Sequence, residues 1–106
     1  MKNLDEFLEQ VKPDMLVNLQ HILRESQELM RESPKEYTEF GCEEPSIDIR
    51  LCVDISDRIA INTPSWIIRT GSADYDQYHS EYCSADCIGL DDTPEEILER
   101  LLRDLE

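Results

Sequence analysis

Reactive side-chain types concentrate in one stretch, Asp74 to Cys87, which reads D-Y-D-Q-Y-H-S-E-Y-C-S-A-D-C. His79, Cys83 and Cys87 stand four residues apart there and raise the question of a metal site. Structural zinc holds thiolates and imidazoles at roughly 2 Å, usually from tight knuckles completed by a second pair. In a strand, residues four apart share a face but lie about 13 Å apart, too far to share an ion. A loop around His79 would relieve this, with Cys42 or Cys52 completing the set. The simpler reading makes the cysteines small, partly buried hydrophobes, and no metal or other cofactor is expected. Asp74 and Asp76 begin like a calcium-binding loop, but no third acid and glycine follow at the required places. A cysteine thiolate with His79 as its base is conceivable chemistry, yet no motif accompanies it. Nothing in the chain reads as a glycine-rich phosphate loop or a nucleophile elbow, and it has only three glycines. An enzyme is therefore not expected.

Charge is the dominant compositional fact: 25 acidic side chains against 10 basic ones give a net charge of -15. No Lys or Arg lies between Arg69 and Arg100, whereas Asp74, Asp76, Glu81, Asp86, Asp91, Asp92, Glu95, Glu96 and Glu99 all fall there. Affinity for DNA or RNA comes largely from Lys and Arg displacing counterions, so this field disfavours direct nucleic-acid binding and anionic membranes alike. The same field attracts cationic protein surfaces, although net charge also serves solubility alone. Tyr75, Tyr78 and Tyr82 lie within the acidic tract and Trp66 just before it. Such aromatics supply large contact areas at low entropic cost, and flanking acids steer a basic partner onto them. The candidate partner-binding set is Asp74, Tyr75, Asp76, Tyr78, His79, Glu81, Tyr82, Asp86, Asp91 and Asp92. Trp66 is expected in the core.

The stretch from Gly71 to Ile88, with Tyr75, Asp76, His79 and Tyr82 in a Y-D-x-x-H-x-x-Y pattern, resembles small uncharacterised proteins of phages and bacterial mobile elements. Those proteins commonly carry Gly before the last tyrosine and Trp after it, where this chain has Glu81 and Cys83. The resemblance covers about the last third of the chain. It implies a setting in which small acidic proteins antagonise a host or defence protein by occupying its cationic nucleic-acid-binding surface, as nucleic-acid mimics.

These residues must be positioned by a modest set of elements. At 106 residues the chain fits a single domain over 1–106. Residues 3 to 32 read as helix broken once at Pro13, with Leu4, Phe7, Leu8 and Val11 before it. Met15, Leu16, Leu19, Ile22, Leu23, Ser26 and Met30 follow on one stripe. His21 lies far from that stripe and reads as a solvated surface residue. Residues 33 to 45 form a polar connector around Tyr37 and Phe40. Ile47, Ile49, Leu51, Val53 and Ile55 then alternate with Asp48, Arg50, Cys52 and Asp54, the pattern of a strand with one buried face. Residues 56 to 64 suggest a turn or short extra strand, Ser65 to Thr70 a second strand, and Glu81 to Ile88 a third. Thr93, Pro94, Glu95 and Glu96 combine an N-cap, a first-turn proline and a capping-box acid ahead of a final amphipathic helix.

The expected fold is α+β: N-terminal helices, an antiparallel meander of about three strands, and a C-terminal helix. Early acids interrupt any apolar leader and no apolar run approaches membrane-spanning length, so a cytoplasmic protein with reduced cysteines is expected. The leading functional expectation is an acidic protein-interaction module for a cationic protein surface. A metal-binding or thiol module using His79, Cys83 and Cys87 is one alternative, and a structural subunit recognised through the open sheet face is another.

Overall fold

The computed structural model describes residues 4–55, 65–71 and 82–105. Their order is α1 (Leu4–Glu32), α2 (Pro34–Tyr37), β1 (Ile47–Asp54), β2 (Ser65–Thr70), β3 (Tyr82–Ile88) and α3 (Pro94–Arg103). The architecture is α+β, and the helices cover one face of a three-stranded antiparallel sheet.

Alternation in β1 organises the sheet. Ile49, Leu51 and Val53 are wholly buried, whereas Asp48, Arg50, Cys52 and Asp54 point the other way. Leu51 stands opposite Ile68 of β2 and Ser84 of β3, and Val53 opposite Trp66 and Tyr82. Trp66 packs half-buried against the core, as expected. Strand order corrects one expectation. A meander would place the strands in chain order, but the observed order is β2-β1-β3, with β1 in the middle. The first strand is the most regularly alternating of the three, and the central position lets its inner row be covered from both sides as well as by the helices.

The N-terminal region departs from expectation more sharply. Helix α1 runs unbroken through Pro13 for 29 residues, a length of about 43 Å at 1.5 Å per residue, which matches the molecule's longest extent of 46 Å. A mid-helix proline removes one hydrogen bond and crowds the carbonyl four residues back, at a cost of about 3 kcal/mol. Here Pro13 and Glu9, which carries that carbonyl, are both on the exposed side, where water can serve the orphaned acceptor. Continuing the helix keeps Phe7 in register with Met15, Leu19, Leu23, Ser26 and Met30, all buried, and burying a Phe side chain returns about 1.5–3 kcal/mol. Ser33 ends α1 and Pro34 opens the short α2, so the connector is partly helical. His21 is exposed, as read from the stripe.

The C-terminal helix follows its sequence signals closely. Thr93 caps α3 by accepting from the Glu96 backbone N–H at 3.3 Å, Pro94 occupies the first turn, and Ile97, Leu98 and Leu101 are buried. The expected turn or strand at residues 56 to 64 lies outside the described residues. Because α1 is continuous, Pro13→Ala should stabilise the protein by about 2 kcal/mol after allowing for the freer unfolded chain. Urea unfolding would show a higher midpoint at unchanged slope; a neutral or lower midpoint would mean that Pro13 starts a separate helix.

Candidate functional site

Of the ten residues expected to bind a partner, Asp74, Tyr75, Asp76, Tyr78, His79 and Glu81 lie outside the described residues. The structure separates the other four by role. Tyr82 is half-buried and packs against the core from β3. Asp86 stands opposite Ile49, on the helix-facing side of the sheet. There its carboxylate accepts from the Arg100 Nε–H at 2.5 Å, while Arg100 also pairs with Asp92 at 3.4 Å. The hydrogen bond it donates to Asp86 and the charges of both acids hold the Arg100 guanidinium above its ordinary pKa, against an opposing effect of burial. Asp92 also accepts from the Gly89 backbone N–H at 2.6 Å, and Gln27 of α1 donates to the carbonyls of Gly89 and Asp92 at 3.1 and 2.9 Å. A Cβ on Gly89 would sit 3.3 Å from the Asp92 carboxylate, so the smallest residue suits this turn. Asp86 and Asp92 thus tie β3 and the following turn to α3, Gln27 ties that turn to α1, and only Asp91 of the four is an exposed acid.

Acids gather in two other places that the linear reading did not join. The first is a groove of about 870 Å³ between α1 and α3. Its apolar floor includes Leu8, Leu16, Leu98 and Leu102; Asp5, Glu9, Glu95 and Glu99 line it, together with Lys12 and Arg103. Each helix presents its two acids four residues apart, next to its own leucines, so the groove joins an apolar seam to a net negative rim. Only Glu95 and Glu99 belong to the basic-free tract; Asp5 and Glu9 arrive from the opposite end of the chain. The i, i+4 pairing within each helix is visible in the sequence, but which helices face each other is not.

The second gathering surrounds Cys87. Its thiol donates to Asp48 at 3.4 Å across the strands. Partial desolvation, that hydrogen bond, and the charges of Asp48, Asp86 and Glu39 push its pKa above the usual thiol range. The connector that supplies Glu39 also carries Phe40, which is fully exposed.

Of the possible metal ligands His79, Cys83 and Cys87, His79 lies outside the described residues. Cys83 and Cys87 both lie on the outer side of β3, opposite Cys52 and Asp48 respectively, which at strand spacing sets them about 13 Å apart along the chain. Among the described residues no three His, Cys, Asp or Glu side chains converge as a metal site would require. Among the described residues of the strands, the outer sheet face carries Arg50 and Arg69 alongside Asp48 and Asp54, so their charges balance there. Among the described residues no helix is long and apolar enough to cross a membrane.

Comparison with family models, with curated proteins and with solved structures found no match to this chain. The functional reading therefore rests on charge and shape.

Two outcomes follow from this geometry. Arg100→Met strands the partly buried Asp86 and should cost about 1–3 kcal/mol in chemical denaturation. Arg103→Met removes only an exposed contact of 3.9 Å to Asp104 and should stay within about 0.5 kcal/mol of the parent; equal losses would mean that the Arg100 pairs add nothing. Separately, a raised pKa leaves less thiolate at a given pH, so Cys87 should be alkylated by iodoacetamide more slowly than exposed Cys42 near pH 8. Asp48→Asn should narrow that gap, as read by time-resolved mass spectrometry of the labelled peptides; an unchanged gap would exclude Asp48 as its cause.

Proposed function

We propose that this protein is an acidic interaction module whose α1/α3 groove receives a cationic, amphipathic segment of a partner protein. The observation that carries the reading is the pairing of an apolar floor, Leu8, Leu16, Leu98 and Leu102, with a rim of Asp5, Glu9, Glu95 and Glu99. A helix that lays apolar side chains into a groove needs such a floor, and Lys or Arg flanking its apolar stripe needs such a rim. The net charge of -15 adds long-range steering toward a basic partner. Lys12 and Arg103 fit the same reading as selective elements, since they oppose an evenly cationic ligand and favour one with an acid placed to meet them. In its finer form the partner's cationic surface is one that otherwise holds nucleic acid, so that the protein competes with DNA or RNA for it. The resemblance of the Tyr75–Tyr82 motif to phage and mobile-element proteins supports that setting by analogy.

The test is capture of partners from a bacterial lysate at low and then high salt, followed by affinity measurements on the protein recovered. Binding should weaken steeply with salt and be competed by duplex DNA. The triple variant Glu9→Lys, Glu95→Lys and Glu99→Lys should lose at least about tenfold in affinity, roughly 1.4 kcal/mol, while keeping its circular dichroism and unfolding midpoint near the parent's. Glu43→Lys with Glu44→Lys, in the connector, should bind almost as well as the parent. A partner held equally by the groove variant, or held through salt-insensitive contacts, would overturn the reading.

A further inference from the structure

The outer face of the sheet carries a pair of thiols independent of the groove. Cys52 of β1 and Cys83 of β3 are direct cross-strand partners, 31 residues apart in sequence, with their sulfurs 4.0 Å apart. Both are half-buried thiols rather than a disulfide. The backbone pattern explains the approach. Along a central antiparallel strand, the N–H and C=O of one residue turn to the same neighbour, and successive residues alternate between neighbours. The Asp48 carbonyl accepts from Gly71, just beyond β2, at 2.8 Å. By alternation Arg50, Cys52 and Asp54 also bond toward β2, leaving Cys52 and Cys83 facing each other at a non-hydrogen-bonded position of the β1–β3 ladder. At such positions Cα atoms stand about 4.5 Å apart and side chains come closest, within the range of about 4.4–6.8 Å that a disulfide spans. Closing the sulfurs to bonding distance then needs side-chain rotation, without separation of the strands.

We propose that Cys52 and Cys83 form an oxidisable dithiol whose reactant is a peroxide, and that oxidation links β1 to β3 through one intramolecular disulfide. In the first step one thiolate attacks the peroxide oxygen, the O–O bond breaks, and a sulfenic acid and water form. In the second, the neighbouring thiolate attacks that sulfur and expels the hydroxyl, which leaves as a second water. Two thiols and one hydrogen peroxide thus yield one disulfide and two waters, with the two electrons passing from sulfur to peroxide. The second step depends on the resolving thiol being already in place, which the cross-strand register supplies. Cys87 is four residues further along β3, on the same outer side, and is held by Asp48. Cys42 lies on the connector, outside the sheet. Neither stands opposite Cys52 or Cys83 in the ladder.

The test uses the full chain carrying Cys42→Ser and Cys87→Ser, two exposed positions whose change leaves the core intact, so that the pair alone can react. After reduction, the protein is exposed to hydrogen peroxide, quenched in acid, alkylated and analysed intact and as non-reduced peptides. The expected result is a monomer lighter by two hydrogens, with both alkylation sites lost together and a linked Cys52–Cys83 peptide. Reductant should restore both sites, and the oxidised form should unfold at a higher urea concentration because the crosslink restricts the unfolded chain. Stable sulfinic acid on either cysteine, two sites that remain alkylated, or disulfide only between molecules would each overturn the proposal.

Discussion

The structure depends on the covering of one row of side chains. Ile49, Leu51 and Val53 lie on the same side of β1 and are excluded from water, which requires a neighbouring strand on each edge and a helical layer above. A three-stranded sheet of this size cannot bury both faces with the helices available, so every polar residue of β1 must fall on the other side. The strict alternation of this segment satisfies that requirement. Helices α1 and α3 then complete the core, with Met15, Leu19, Leu23 and Met30 contributed by one and Ile97, Leu98 and Leu101 by the other.

Strong negative charge has to be accommodated around that core. The arrangement divides the acids into those with structural partners and those left at the surface. Asp86 and Asp92 are drawn inward by Arg100, the first base after a long basic-free tract, and Gln27 fastens the same turn to α1. Acids on the rim of the α1/α3 groove remain at the surface around partly buried leucines. In a chain of net charge -15, self-repulsion opposes compaction, which makes a few well-placed counter-charges at the β3–α3 turn more consequential than their number suggests. A surface that combines repelling acids with an apolar floor is relieved on both counts by one cationic amphipathic ligand.

Much of this was legible in the residues. The span of β2, the start of β3 near residue 81, and the cap, proline and acids that open α3 all follow from local turn and capping chemistry, which acts over a few residues. Ser26 on the apolar stripe and His21 off it were likewise placed by helical period alone. Pro13 misled the same reading, because a proline's local preference for a first turn was outweighed by an apolar stripe that gains only if the helix continues. The chain-order meander misled it for a related reason: short connections favour adjacent strands, but nothing local says which strand takes the centre.

The sequence by itself determined the class of fold, the identity of the core faces and the sign of the electrostatic field, because period, propensity and net charge are properties of neighbouring residues or of composition. Tertiary structure decided which acids are used up and which are available, since Asp86 and Asp91 both lie in the basic-free tract, yet Asp86 faces the helices and meets Arg100 while Asp91 stays exposed. It also decided that acids from the two ends of the chain rim one groove, and that Cys52, rather than Cys87, is the neighbour of Cys83. Those facts depend on which helices pack together and on strand register, and both are set by long-range burial that no local pattern encodes.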